Sequence, residues 1–574
     1  MVSEVKHKNK RKQRDLMILF AFIAIVVIVN FIGAFIFKRF DLTSEKRYTL
    51  APSTRDLLKK VDEEILFKVY LEGNFNPGFT RLKNEAREIL DEFRAYSNGN
   101  IQYEFINPTE ESLTPEEKNN VQRQLFEKGI IPEEIIDKKG DKTSNTRIWP
   151  GAIVSYKGKE AVWQIYSHQA LIGVSSEQSI NNSVQELEYS LTNTIRKLQR
   201  KRKPEVTFLD GQFELDTIRR YDFMRSLSEY YTVNRTVIKP GVELESLKGS
   251  DALVIAKPDS AFTDKEKFII DQFIMDGGKV LWLLDPISIN MDTLNLRGFS
   301  IGLNRPLNLE DMLFKYGVRL NPVLVQDMQC GMIPINIGFK RGQANIKMFP
   351  WVHTLWVLPD GTHPIVKNLD VIKMEYASNI DTVTAHGIKK TVLLRSSRNT
   401  KIQPSPARIA LQMATLPVKE SQFKDGNQML AILLEGAFTS FAENRLPTAL
   451  RTSPDFKFIE KGKPTKMIVV ADGDIAANDY QRATGQVMPL GYDKYSRQVF
   501  ANKTFLLNCV NYLLDDEGML QLRSREVKLR MLDKKKIKLQ RTKWQVTNVV
   551  MPALLVVIFG LVQFWFRRKK YRSA

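Results

Sequence analysis

Cysteine is nearly absent: Cys330 and Cys509 are the only two in 574 residues. They stand far apart and in no redox or metal spacing, which excludes a disulfide framework, a Cys-x-x-Cys pair and a thiolate zinc site. Both read as small buried hydrophobes. Cys330, in "DMQCGMIP", lies beside glycine but follows no clear strand, so it lacks the strand-to-helix elbow of a catalytic thiol. Histidine is scarce too. His7 falls in a basic tail, and His168, His353, His363 and His386 are scattered without ligand spacing, so each reads as structural or exposed. No G-x-x-x-x-G-K-[ST] loop is present, so ATP hydrolysis is expected of a separate subunit. G-x-S-x-G and H-E-x-x-H are missing as well. No cofactor or metal is implied.

Net charge is +20, a value that would suit nucleic acid if it were spread over one face. It is not spread. Residues 1–15 carry +4, 528–543 carry +7 and 567–574 carry +5, leaving +4 for all the rest. Basic excess that brackets the chain ends points to a membrane, not to nucleic acid.

Residues 16–37, "LMILFAFIAIVVIVNFIGAFIF", hold no charge and would reach about 33 Å as a helix, enough for a hydrocarbon core. The run is too long for the apolar region of a cleaved signal peptide, and no small-x-small site follows it, so it reads as an uncleaved anchor. Residues 546–566, "VTNVVMPALLVVIFGLVQFWF", form a second candidate span, closed by Trp565 and "RRKKYR". Two spans put both termini on one side, and the basic tails favour the cytoplasm for both. The segment 534–543 is equally basic and makes the local charge at the second span ambiguous. The expectation is an inner-membrane protein whose large middle part is periplasmic.

Between the spans, strand and helix patterns alternate. Strands are expected at 65–71, 101–106 and in a hairpin over 151–165 that turns at Lys157-Gly158; helices at 80–96 and 115–128. The order βαβαββ resembles a thioredoxin-like domain, over residues 38–174. The loop that would carry the redox pair, "EGNFNPGFT" (72–80), has no cysteine, so disulfide exchange is excluded and binding or spacing is implied. Residues 175–198 carry Ile180, Val184, Leu187, Leu191, Ile195 and Leu198 at helical spacing, an amphipathic linker helix over 175–203. That stripe suits packing between the chain's own domains or a partner's coiled coil.

"PEVTFLDGQFELD" (204–216) opens a second domain, 204–527. Further strands are expected at 232–238, 252–256, 279–286, 391–396, 429–436 and 466–474, with helices at 216–230, 263–275 and 501–514. This is an open α/β sheet with an insertion over about 290–390. Such sheets bind ligands beyond the carboxyl ends of their strands. Asp210, Asp285, Asp472 and Asp474 fall there and are the candidate ligand-facing residues. Asp before Gly or Pro is equally an ordinary turn residue. "DGD" (472–474) supplies too few oxygens to define a cation site. No catalytic residue is assigned.

"DLTSEKRYTLAPSTRDLL", "RPLNLEDMLFKYGVRLNPVLVQD" (305–327) and "NKTFLLNCVNYLLDDEGMLQLRSREVKLRMLDKKK" (502–536) resemble the GldG family of gliding-motility proteins of Bacteroidota, over essentially the whole chain. The resemblance implies a non-catalytic auxiliary subunit, often labelled substrate-binding, of an ABC transporter. It would sit beside a multi-span permease and a cytoplasmic ATPase, in gliding motility and linked protein secretion. The outer domains are expected to bind substrate or a periplasmic protein or cell-wall partner. The resemblance also implies a class I glutamine-amidotransferase-like fold for 204–527, but the Cys–His pair of those enzymes has no match here. The implied architecture is thus α/β, with two terminal transmembrane helices flanking a thioredoxin-like and an amidotransferase-like domain. Basic tails (1–15 and 567–574) and a basic juxtamembrane segment (528–545) complete it. The competing readings are a periplasmic hydrolase or amidotransferase relative that uses Asp210, Asp285 and Asp472, and a module that binds cell-wall polymer or another periplasmic protein without transport.

Overall fold

The strand signals resolve into two main sheets within a mixed α/β chain. The computed structural model describes residues 16–28, 30, 49–515 and 534–572, apart from 74, 111–113, 140–141, 167–175, 201, 239–243, 341, 360, 368, 444, 446–457 and 482–483. The chain forms two units, and the C-terminal helix belongs to the second.

The N-terminal apolar helix α1 is described over Leu16–Ile28, shorter than a bilayer crossing; residues 29 and 31–37 of the expected span lie outside the described residues. So do the tail 1–15 and residues 528–533 of the basic segment. Among the described residues one helix is long and apolar enough to span a membrane. It is Leu539–Lys569, whose most apolar 18 residues have mean hydropathy 2.4, inside the helix Lys534–Arg572, and it contains the expected 546–566. The basic residues from Lys534 onward are the first turns of that same helix.

After helix α2 (Pro52–Lys59) comes the first sheet, with strands β1 (Ile65–Val69) and β2 (Ile101–Phe105) parallel. Helix α3 (Pro77–Tyr96) connects them. It starts earlier than its apolar pattern suggests because Pro77 fits the first turn and the Asn76 side chain accepts the Phe79 N–H. Helix α4 (Pro115–Glu127) has a capping box from Thr114 and Glu117. The hairpin of β3 (Glu133–Lys139) and β4 (Lys142–Ile148) follows, and then β5 (Gly151–Tyr156) and β6 (Lys159–Gln164) complete the sheet order β2-β1-β5-β6. Helix α5 (Ser176–Gln199) buries Ile180, Leu187, Leu191, Ile195 and Leu198 in this module's own core, with Phe67, Phe93 and Trp163.

The second sheet contains β7 (Glu205–Asp210), β8 (Thr232–Val237), β9 (Ala252–Ala256) and β10 (Lys279–Leu283). The strand Lys461–Val470 lies parallel to β10, and Met429–Thr439 and Ile388–Arg395 extend the sheet antiparallel. Apolar clusters cover both faces, which is why β9 and β10 read as continuous apolar runs. Helix α6 (Tyr221–Ser228) is shorter than the expected 216–230, since a turn closed by the Asp216 carboxylate on the Arg219 N–H occupies its beginning. Helix α7 (Asp264–Met275) begins at a capping box of Thr263 and Glu266. The insertion builds a lobe with a small core of its own around Ile287, Leu324, Trp351 and Ile409. From it the strands Cys330–Lys340 and Gln343–Val357 extend as a long hairpin.

The two sheets are joined at α5. Arg196 donates to Asp515 at 2.9 Å, with both side chains largely buried, and Lys197 lies over the Tyr230 ring, 3.5 Å from its centroid.

Candidate functional site

The carboxyl ends of four adjacent strands bring charged residues to one edge of the second sheet. In sheet order Lys461–Val470, β10, β9 and β7, these are Asp472 with Asp474, then Asp285, Lys257 and Asp210. Three of the four sequence candidates, Asp285, Asp472 and Asp474, gather around Lys257. Asp210 does not join them.

Lys257 follows β9 in a left-handed conformation, φ 55°, with its N–H on the Leu283 carbonyl. Its ammonium contacts the Asp474 carboxylate and lies 3.4 Å from Asp285. Burial works against the charged ammonium, but Asp474 and Asp285 outweigh it and hold its pKa above the ordinary lysine value. Gly473 packs directly over Lys257: a Cβ there would come within 2.6 Å of the Lys257 Cβ. The Gly473 N–H donates to Asp285 at 2.5 Å.

Asp472 is fully buried and accepts three backbone N–H groups, from Glu375 (2.9 Å), Asp474 (2.8 Å) and Ile475 (3.2 Å). It therefore ties the end of its strand to the strand Ile372–Glu375 of the insertion. Burial, then the neighbouring Asp285 and Asp474, push its carboxyl well above the usual range; burial raises Asp285 likewise, with Lys257 opposing. The lysine fills the space between the carboxylates, and among the described residues no cluster of three metal-ligating side chains has a geometry to hold an ion.

Asp210 is held by two arginines instead, Arg220 at 2.5 Å and Arg235 at 2.7 Å. Arg220 is 1% exposed and its Nε and Nη1 have no partner; Glu214 nearby has a buried, unpartnered Oε1, and burial pushes its carboxyl up to about 6. Next to this group Phe213 stands 81% exposed in a left-handed conformation, φ 54°. A bulky residue so held at a ligand-side sheet edge is unusual.

Lys257 and Phe213 escaped the sequence reading. The signal for Lys257 was present: "AKP" ends β9 as "LDP" ends β10, one basic residue among four acidic strand ends. Phe213 gave none, because an exposed aromatic cannot be told from a core aromatic in one sequence. Cys330 opens a strand and is free, its thiol pushed up to about 11 by burial; Cys509 is fully buried. His353 is buried between Trp351 and Tyr376 and pushed down to about 4 by burial. In the first module the start of α3 borders an open groove of about 640 Å³ lined by Phe75, Pro77, Thr80, Arg81, Asn84, Glu85 and Glu88, with no thiol.

Residues 203–509, more than half the chain, match the family described as an ABC-type uncharacterized transport system. The chain belongs to this family of ABC transporter auxiliary proteins. Residues 44–155 match a domain of unknown function. An uncharacterized protein of Borreliella burgdorferi is 22% identical over 579 residues, covering 98% of this chain and 99% of that protein. Among solved structures, the mmIFT52 N-terminal domain is 12% identical with a TM-score of 0.29, covering 55% of this chain and 97% of that one. A ThuA-like protein from Bacteroides uniformis is 11% identical with a TM-score of 0.25, covering 55% and 93%. At those scores neither carries an argument. Membership in the transport-system family implies association with ABC transporter components, and the apolar helix Leu539–Lys569 indicates association with the membrane.

Proposed function

We propose that the chain is a non-catalytic, membrane-anchored subunit of an ABC transporter that couples a permease and a cytoplasmic ATPase to a partner or substrate outside the cytoplasm. The observation that carries this reading is the filled strand-end site. Where an enzyme of this sheet type would hold its substrate, Lys257 occupies the space between Asp285 and Asp474, and Gly473 closes over it. The resulting ion cluster locks three strand ends and the insertion together, which suits a rigid body that is moved rather than a pocket that reacts.

The finer reading follows the sequence resemblance: a GldG-type subunit of gliding motility and linked protein secretion. Both ends of the chain are anchored by spans (16–37 and 546–566), both termini are cytoplasmic, and the large part is periplasmic. The parallel pair β1 and β2 joined through α3, followed by the β5–β6 hairpin and α5, is consistent with a thioredoxin-like spacer. The mostly parallel second sheet is consistent with an amidotransferase-like frame. Its ligand-side edge, with the exposed Phe213 beside Asp210, is the surface we assign to the periplasmic protein or cell-wall partner.

Affinity purification of the full chain in mild detergent is expected to recover a multi-span permease and an ATPase; recovery of neither sinks the reading. The competing hydrolase or amidotransferase reading is tested by Asp210→Asn, Asp285→Asn and Asp472→Asn made singly. Motility or secretion that persists at normal protein level in all three would sink the catalytic reading.

A further inference from the structure

The C-terminal helix, Lys534–Arg572, treats its polar residues in two ways. Trp544 Nε1 donates to Gln540 Oε1 at 3.2 Å, and the Thr547 hydroxyl donates to the Lys543 carbonyl at 2.9 Å, so these groups are satisfied within the helix. Gln545, Asn548 and Gln563 form no side-chain hydrogen bond among the described residues. With Pro552 they follow one another at steps of 3, 4 and 11 residues. At 3.6 residues per turn, all four fall within about 60° on one face. Pro552 adds a further group to that face. It has no N–H, so the carbonyl of Asn548, four residues earlier, lacks its helical donor.

Lys543 and Arg567 bound the uncharged stretch and lie about 36 Å apart along the axis, which centres it on a hydrocarbon core of about 30 Å. Asn548 and Gln563 are about 22 Å apart, so no sliding of the helix puts both outside that core. Lipid tails offer neither of them a donor or acceptor. The face needs a protein occupant, and charge selects which. Its register runs on outward through Arg541 and through positions 538 and 534, both Lys. No Asp or Glu occurs anywhere in the helix, and Arg567, Arg568 and Lys569 flank its other end. A second copy, parallel or antiparallel, would set cations against cations. We propose that this face docks on a transmembrane helix of a different protein. That helix presents Ser, Thr, Asn or Gln at the depths of Asn548 and Gln563, and an Asp or Glu outside the bilayer opposite Arg541. Interhelical hydrogen bonds of this kind hold helices together where lipid removes the hydrophobic drive. The docking face rests on the anchored-subunit reading only in that the helix spans a bilayer.

The test uses the full chain in its native membranes, with the photo-reactive benzoylphenylalanine in place of Phe559, on the face, or of Leu561, on the opposite side. Irradiation is expected to cross-link position 559 at least about fivefold more strongly than 561, since the two stand on opposite sides of the helix. The joined peptide, read by mass spectrometry, should come from an apolar segment of another protein with the polar and acidic residues just stated. Asn548→Leu and Gln563→Leu, which favour insertion into a bilayer, should each lower the 559 product about threefold at an unchanged level of the chain in the membrane. Raised salt should weaken the parent's product more than that of Arg541→Gln. Equal products at 559 and 561 overturn the proposal, as do adducts with lipid alone, with the same chain or with a second copy. A partner helix of the stated chemistry that belongs to no transporter would uphold the docking face and sink the transporter reading instead.

Discussion

Asp271 and Asp472 are both fully buried carboxylates of the second sheet's domain, yet their surroundings differ in kind. Asp271 accepts from the Tyr316 hydroxyl (2.7 Å), the Ser440 hydroxyl (2.7 Å), the Gln272 amide (2.9 Å) and the Phe441 N–H (3.1 Å). Its partners are neutral dipoles, each fixed by the fold. Asp472 also accepts neutral N–H groups, three from the backbone, but it sits in a group of three aspartates whose crowding is relieved by one ammonium, that of Lys257, paired with Asp285 and Asp474. The first arrangement is a pin whose strength is spread over several donors. The second rests its charge balance on a single side chain, so the two should fail differently.

The largest expected effect is therefore at Lys257. Lys257→Met leaves Asp285 and Asp472 buried without a counter-ion and should cost about 3–5 kcal/mol, read by thermal or urea unfolding of the full chain in detergent. Its pH dependence has a definite sign. Carboxyls with raised folded-state pKa bind protons more tightly when folded, so their stability is fullest below the unfolded value and is lost as pH rises through the folded one. The variant should be most stable in mild acid and weaken toward neutrality, more steeply than the parent. A uniform loss at all pH values would mean that the cluster's charge is not what Lys257 controls.

Asp271→Asn should do less, about 1–2 kcal/mol, because an amide keeps part of the network. Burial raises Asp271 as well, against its four donors, so the parent's advantage over the amide is greatest in acid and shrinks as pH rises. Melting curves taken across that range check the slope. The smallest effect on stability is expected for Phe213→Ala, within about 0.5 kcal/mol, since the ring is in solvent. If the sheet edge is a docking surface, the same change should reduce recovery of a partner. A large stability loss there would instead mean that the ring packs.

The strands of the second sheet were readable because they are covered on both faces and run apolar without interruption, as in "ALVIA" and "KVLWLLDP". The hairpins were not. The pair β3 and β4, "EEIIDKK" and "KTSNTRI", is largely polar and gives no alternation to detect. The long hairpin begins "CGMIPINIGFK", where Gly, Pro and Asn contradict strand propensity and the apolar face points outward. Within the strand-end group, Asp210, Asp285 and Asp472 were visible as residues before Gly or Pro, and Asp474 through its place in "DGD". What separated Asp210 from the rest was invisible: Arg220 and Arg235 reach it from a helix cap and a neighbouring strand, and pairings of that kind leave no local pattern.

The ion pair of Arg196 with Asp515 has a mechanical meaning. Asp515 is the last described residue before the segment that leads to the C-terminal helix, and Arg196 belongs to α5, the spine of the first module. The Lys466 ammonium, from the strand Lys461–Val470 of the second sheet, donates to the carbonyl of the same Asp515 at 2.9 Å. A pull arriving at Asp515 is therefore shared at once between α5 and the sheet, and the residue acts as a yoke that loads both modules together rather than one through the other.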